Sequence, residues 1–393
     1  MLLSLALIIV LSLTLSSIFM KIKIPSLVAM ILSGIILGPY VLNLISPDLL
    51  EISLDLRQIA LIVILLRAGL TLDLKDLKRA GRPALLLSFI PATFELFAIV
   101  IFGPMLFDIT YLQALLLGSV LAAVSPAVVV PRMIKLIESN RGTAKSIPQM
   151  IMAAASVDDI YVIVLFTSFI EMAQTQTFSI LAFITLPLTI LSGVALGVVF
   201  GLILVWLFKK IHIRDTIKVL IIFSVAFLFI AFQEWIKPYF SISGLIAVMV
   251  LGITILKQYL VLAKRLVGKF ERIWVFAEIL LFVLVGASVN ITVLPTVGFK
   301  VVILIFCALL IRSLGVIIAL IKTGLTKKEK GFVVFSYLPK ATVQAAIGSI
   351  PLGLGLPGGE LILAIAVVSI IITAPLGAIL IDQTNKKWLQ IQG

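Results

Sequence analysis

This 393-residue chain has one cysteine, one histidine and few charges. The lone Cys307 lies in an apolar run, so disulfides have no part in the fold. His212 stands beside Lys209 and Arg214 and reads as a solvated loop residue rather than a proton relay. Charged residues make up only 12% of the chain against 62% hydrophobic ones, and mean hydropathy is +1.28. No soluble domain buries that much apolar surface, which leaves an all-α polytopic membrane protein. A retained first helix, rather than a cleavable signal, is expected. The apolar residues 2–20 have no basic segment before them and no small-residue cleavage site after, and Lys21, Lys23 and Pro25 lead straight into the next run.

What the chain has in abundance is apolar length. Segments long enough to cross a hydrocarbon core of ~30 Å as helices fall near 2–20, 24–44, 55–73, 83–105, 110–131, 147–171, 179–208, 216–236, 242–262, 269–292, 297–322, 330–350 and 358–382. These predict thirteen transmembrane helices, the seventh overlong and therefore tilted. One set of alternate loops, at 21–23, 75–82, 132–145, 209–218, 257–272, 322–330 and 386–387, holds 25 of the 31 basic residues. The other set holds Arg57, Lys237 and Lys300. That asymmetry predicts an N-terminus outside and a C-terminus in the cytoplasm. It also accounts for the net charge of +13 as an orientation signal, with no nucleic acid among the partners.

The chain repeats itself. "SLVAMILSGIILG" (26–38) returns as "GLIAVMVLGITIL" (244–256), about 218 residues later, and "AGLTLDL" (68–74) is echoed by "VGASVNI" (285–291). The offset carries the second span onto the ninth, and an odd shift inserts the second copy from the opposite side. The expected organisation is one transmembrane transporter domain of two inverted six-helix repeats, about 2–171 and 216–382. A linker helix at about 179–208 joins them, with no soluble regulatory domain. Inverted repeats mark secondary transporters, whose site lies near the bilayer midplane. Span 5 carries "AAVSPAVVVPRM", interrupted by Pro126 and Pro131; the offset lands on "YLPKATVQAAIG" in span 12, with Pro339 and then Gly348. Proline removes a backbone donor and frees a carbonyl. A matched pair of broken helices points to a binding site.

Ionisable residues converge at one depth. Glu95 lies about 12 residues into its span, Asp158 about 11, Arg312 about 15 and Lys340 about 10, with Ser125 at a similar level. Such groups are costly in lipid and are paired or functional. Salt bridges holding the bundle account for some of them. Two cations against Glu95, Asp158 and Asp159 leave one carboxylate without a fixed partner. Neighbours on a helix point about 100° apart, so Asp158 and Asp159 cannot both face one partner. Elsewhere, Arg67 snorkels in a structural role, and Glu278 reads as cavity-lining or interfacial. Gly193, Gly197 and Gly201 form a small-residue ridge for close helix packing, with dimerisation as the alternative.

"LLRAGLTLDLKDLKRAG", "AAVSPAVVVPRM", "AASVDDI" and "YLPKATVQAAIGSIPL" together resemble the monovalent cation/proton antiporter superfamily, most of all its NHA-type sodium/proton exchanger branch. The resemblance covers nearly the whole chain. It implies the NhaA/NapA-like antiporter fold, in which a core with two crossed broken helices moves, elevator fashion, against a dimerisation domain. By similarity, Asp159 is the main ion- and proton-binding carboxylate, assisted by Asp158, for Na⁺ or Li⁺. Arg312 takes the place of the core basic residue, Glu95 that of its salt-bridge partner, and Lys340 sits in the second broken helix. Ser125 replaces the threonine of many relatives, and the aspartate of their Thr-Asp-Pro motif is absent. The large soluble tails of some relatives are missing. Expected partners are lipid, monovalent cations, protons and a second copy in a homodimer; no cofactor is expected, and a bacterial plasma membrane is the expected home.

The mechanism these residues suggest is competition. A carboxylate out of water must be neutralised by a proton or by a cation, and not by both at once. Carbonyls and hydroxyls of the broken helices are hard oxygen ligands for Na⁺ or Li⁺. If the empty, charged site is too costly to carry through lipid, only loaded states cross, and exchange follows without any enzymatic step. An intramembrane aspartyl protease needs two aspartates on different helices, which adjacent residues cannot supply. A cation channel is opposed by Arg312 and Lys340. The same fold carrying K⁺, or an organic anion drawn by those cations, stands as the alternative.

Overall fold

A computed structural model describes residues 1–72, 74–175, 180–236, 239–240 and 242–391, with side chains at all of these except 74–80, 175, 180–187 and 293–297. Lys237, residues 73 and 179 at span ends, and the side chains of Lys75, Lys78 and Arg79 lie outside the described residues. The described chain is helical throughout. In order it forms α1 (Leu2–Lys21), α2 (Ser26–Leu37), α3 (Pro47–Glu51), α4 (Ser53–Thr71), α5 (Leu74–Leu87) and α6 (Ile90–Leu106). Then come α7 (Tyr111–Leu121), α8 (Pro126–Glu138), α9 (Ile147–Thr175), α10 (Ile180–Lys210), α11 (Asp215–Ile236) and α12 (Gly244–Gln258). The last six are α13 (Leu260–Ala287), α14 (Leu294–Ala319), α15 (Lys327–Ser336), α16 (Thr342–Gly348), α17 (Ile350–Gly353) and α18 (Gly359–Trp388). Among the described residues the only β pairing is an isolated bridge between Arg141 and Ile391.

Eight helical stretches among the described residues are long and apolar enough to cross a membrane, and α2 and α12 are apolar but shorter. Local chemistry fixes several starts. Thr110 and Gln113 close a capping box ahead of α7, and Thr326 and Glu329 do the same for α15. One boundary differs markedly from the sequence reading. The basic stretch 257–272, expected as a loop, is mostly helix, because α13 begins at Leu260 rather than near 269. Leu262, Leu266, Phe270 and Trp274 recur every fourth residue and are buried, while Lys264, Arg265 and Arg272 face out. Lysine and arginine are good helix formers, so an amphipathic turn outlasts the apolar run.

Two compact units make up the chain. The first comprises Met1–Leu54, Asp73–Val162 and Ile279–Gly393; the second comprises Asp55–Leu72 and Ile163–Glu278. In the first, α6 and α14 pack along one another, and Gly315 lies against Pro91 and Phe94. α2 meets the end of α13 so closely that a Cβ on Gly34 would strike the Val283 carbonyl, and one on Gly286 the Ile31 carbonyl. Glycine is required at both contacts. A buried cluster including Met133, Ile151, Phe332 and Leu389 fills one end of this unit. In the second unit α10 lies on α12: Gly193 sits against Ser243 and Ile246, Gly197 against Ala247 and Val250, and Gly201 against Thr254. Gly69 of α4 meets Met249 and Gly252 of α12. Arg67 pairs with Glu271 at 3.3 Å, and Asp215 accepts from Arg265 at 2.9 Å. His212 is exposed and Glu278 half-buried in this unit.

Candidate functional site

The site lies wholly in the first unit and grows from two chain breaks. α7 stops at Leu121 and α8 starts at Pro126. Proline tolerates the first helical position, where its missing N–H costs nothing, and it turns the preceding Ser125 to extended backbone (φ −86°, ψ 109°). Pro131, expected to share in the interruption, lies inside α8, which runs on to Glu138. The break is therefore N-terminal to Pro126 alone. The Val128 carbonyl in the same helix accepts from the Arg132 guanidinium at 2.9 Å. The second break separates α15, ending at Ser336, from α16, starting at Thr342, with Pro339 between them. The breaks are bonded to each other: the Ser125 N–H donates to the Pro339 carbonyl at 2.8 Å.

Around them the buried charges assemble. Glu95 on α6 accepts from Arg312 Nη1 at 2.6 Å and from Lys340 Nζ at 2.5 Å, all through Oε2. Arg312 also donates to the Ala122 carbonyl through Nη1 and to the Tyr337 carbonyl through Nε at 2.8 Å. Its Nη2 lies 3.7 Å from Asp158 Oδ2, and its guanidinium lies over the Tyr337 ring at 5.6 Å. Asp158 Oδ2 accepts the Val124 N–H at 2.7 Å, and its Oδ1 is buried without a hydrogen-bond partner. Two cations and two carboxylates thus balance. Asp159 is left over: it is 8% exposed, makes no ion pair with a described residue, and its Oδ1 is buried without a partner. The hydroxyl of Ser125 is likewise buried and unpartnered.

The structure brings Glu95, Asp158, Arg312 and Lys340 into one bonded cluster, with Ser125 and Pro339 at the joined breaks. It also contains partners that the sequence reading passed over. Gln344 on α16 donates Nε2 to the carbonyls of Leu121 (3.3 Å) and Ala123 (2.8 Å), while its Oε1 accepts the Ala341 N–H at 2.8 Å. Thr373 on α18 accepts the Lys340 N–H at 2.9 Å. Each is a polar residue in a largely apolar helical stretch, which was the available signal. The carbonyls of Leu121, Ala122, Ala123 and Tyr337 accept hydrogen bonds from Gln344, Arg312 and Lys340.

Residues 6–385 match the family model described as "Sodium/hydrogen exchanger, transmembrane". The chain belongs to the sodium/hydrogen exchanger family. Mouse (Mus musculus) sodium/hydrogen exchanger 9B2 is 35% identical over 388 residues, covering 93% of this chain and 69% of the relative. The human (Homo sapiens) 9B2 protein is 34% identical over 404 residues, covering 93% and 70%. Human 9B1 is 30% identical over 348 residues, covering 85% and 66%. Among solved structures, the sodium proton antiporter MjNhaP1 from Methanocaldococcus jannaschii at pH 8 superposes with a TM-score of 0.83 at 22% identity, over 98% of this chain and 97% of that one. That likeness shows the antiporter fold of this family member, an integral membrane protein of a transporter family.

Proposed function

We propose that this chain exchanges Na⁺ or Li⁺ for H⁺ across the membrane, with Asp159 as the carboxylate where cation and proton compete. The observation that carries the reading is the charge balance. Glu95 and Asp158 face Arg312 and Lys340, whereas Asp159 is buried with no fixed counter-charge. Proton or cation supplies the missing charge in turn, and an unloaded site is costly to move through a low-dielectric layer. Its chain neighbour Asp158 offers further oxygens, and the buried, unpartnered hydroxyl of Ser125 at the break is the other candidate, both suited to a hard cation. The family membership, together with relatives that are named sodium/hydrogen exchangers, supports the cargo.

Two inverted repeats, thirteen spans with the N-terminus outside, elevator-like alternating access, a homodimer and a plasma-membrane location belong to the same proposal. The close contacts support the repeat. Gly34 and Gly286 seat α2 on α13, and the offset of 217–218 residues converts that contact into Gly252 and Gly69 seating α12 on α4. The organic-anion alternative is weakened, because Arg312 and Lys340 are both held by Glu95. The test is reconstitution in proteoliposomes with an internal pH dye, adding Na⁺, Li⁺ or K⁺ separately to wild type and Asp159→Asn. Cation-dependent proton movement that vanishes in the variant supports the reading. Wild type that moves no protons with any of the three cations, across the pH range, sinks it.

A further inference from the structure

Gln344 is fully buried and is neutral, yet it makes three hydrogen bonds at the breaks, two of which join one break to the other. Its neighbours Arg312 and Lys340 can only donate; a carboxamide donates and accepts at once. Gln344 uses both capacities, accepting from Ala341 in its own break and donating to Leu121 and Ala123 in the other. The bond to Ala123 has a further effect. A trans peptide is planar, so its C=O and N–H point in opposite directions. The Ala123 carbonyl and the Val124 N–H belong to one such peptide. Its carbonyl end is held by Gln344 Nε2 at 2.8 Å, and its N–H end donates to Asp158 Oδ2 at 2.7 Å.

We propose that Gln344 is a positioning residue for the acidic pair, acting on Asp158 through the Ala123–Val124 peptide plane. Fixing that plane aims the Val124 N–H at Oδ2, which sets the carboxylate's orientation and leaves Oδ1 without a protein donor, available to the exchange site. Lys340 Nζ reaches the same carbonyl only at 3.4 Å, and it is already committed to Glu95. Arg312 holds the adjacent Ala122 carbonyl, which belongs to a different peptide. Gln344 is therefore the principal hold on this one. The inference rests on the reading of Asp158 and Asp159 as the exchange site.

The test uses full-length Gln344→Met, which keeps the volume and loses all three bonds, and Gln344→Glu. Ionised at alkaline pH, the glutamate keeps the acceptor for Ala341 and loses both donors. The readouts are KM and maximal rate for Na⁺-driven proton movement, together with amide hydrogen exchange over residues 121–126. Both variants are expected to raise KM about tenfold, the scale of one lost buried hydrogen bond, with a smaller change in maximal rate and faster exchange at the Val124 amide. Unchanged KM and unchanged amide exchange in both overturns the proposal. So does wild-type behaviour in Gln344→Glu beside a defective Gln344→Met, since the cap on Ala341 is then the whole role. A variant that fails to fold is replaced by Gln344→Asn, which is too short to span both breaks and is expected to give the same KM shift. If wild type moves no protons with Na⁺, Li⁺ or K⁺, the antiport reading fails by itself, and the amide exchange still decides the positioning role.

Discussion

Glu95 and Arg312 are separated by 217 residues and form an ion pair at 2.6 Å between α6 and α14. The same interval separates the repeated glycines Gly69 and Gly286. Under the proposed inverted repeat, equivalent residues that touch lie at the pseudo-two-fold axis, where such a pair maps onto itself. Here the two equivalents are an acid and a base. The proposed halves would each supply one member of the buried pair, and Lys340 adds a second cation to the same carboxylate oxygen.

Replacing that shared acid strands Lys340 and leaves Arg312 with Asp158 as its only anion among the described residues. Glu95→Gln is expected to destabilise the protein by about 3–5 kcal/mol, the scale for an uncompensated buried charge. Thermal unfolding in detergent reads the loss. The double variant Glu95→Gln with Lys340→Met is expected to recover part of it, because one stranded charge is then gone. A double variant no more stable than the single one contradicts the shared-anion account.

Thr373 gives a smaller, cleaner effect. Thr373→Val removes the acceptor for the buried Lys340 N–H and is expected to cost about 1–3 kcal/mol, whereas Thr373→Ser keeps the hydroxyl and most of the stability. Denaturation midpoints of the two variants, measured side by side, decide it. Equal losses point to the methyl group's packing instead.

Glycines divide by what surrounds them. Gly34→Val and Gly252→Val drive a side chain into the facing backbone, so neither is expected to yield monodisperse protein. A Cβ on Gly268 of α13 meets nothing within 4 Å. Gly268→Ala is expected to be tolerated and to gain up to about 1 kcal/mol from helix propensity. Size-exclusion profiles and melting curves separate the two classes.

Acid should release the start of α15. Partial burial raises the Glu329 carboxyl, but hydrogen bonds from Lys145 (2.7 Å) and from Thr326 outweigh it and hold the group below the ordinary carboxylate value. A depressed value stabilises the fold above the unfolded pKa of about 4.3, and that contribution disappears as pH falls through the folded value. Glu329→Gln is therefore expected to melt lower than wild type at neutral pH, with the difference closing in strong acid. A gap that stays constant down to that range removes Glu329 ionisation from the explanation.

Much of this was visible in residue order. Apolar runs located the helices, because lipid and helix geometry together dictate their length. Pro126 and Pro339 located the breaks, because a missing donor cannot be hidden. Intramembrane charges announced the cluster by their cost. The start of α13 was not visible, since hydropathy sees an apolar run end at the basic residues while helix propensity carries the backbone through them. Pro131 looked like a breaker because sequence does not reveal whether a proline beyond the first turn ends a helix or is carried within it. Gln344 and Thr373 stayed hidden for a different reason. Their value lies in the peptide groups they reach, and a peptide group has no letter in the sequence.

The glycine ridge of α10 has a consequence for self-association. Gly193, Gly197 and Gly201 are already filled by Ile246, Val250 and Thr254 of α12 in the same chain. The stripe that looked ready to zip two copies together has its teeth engaged at home. A mutational screen that swaps these glycines for larger residues will register as misfolding of one subunit, and any seam between subunits has to use a surface other than this ridge.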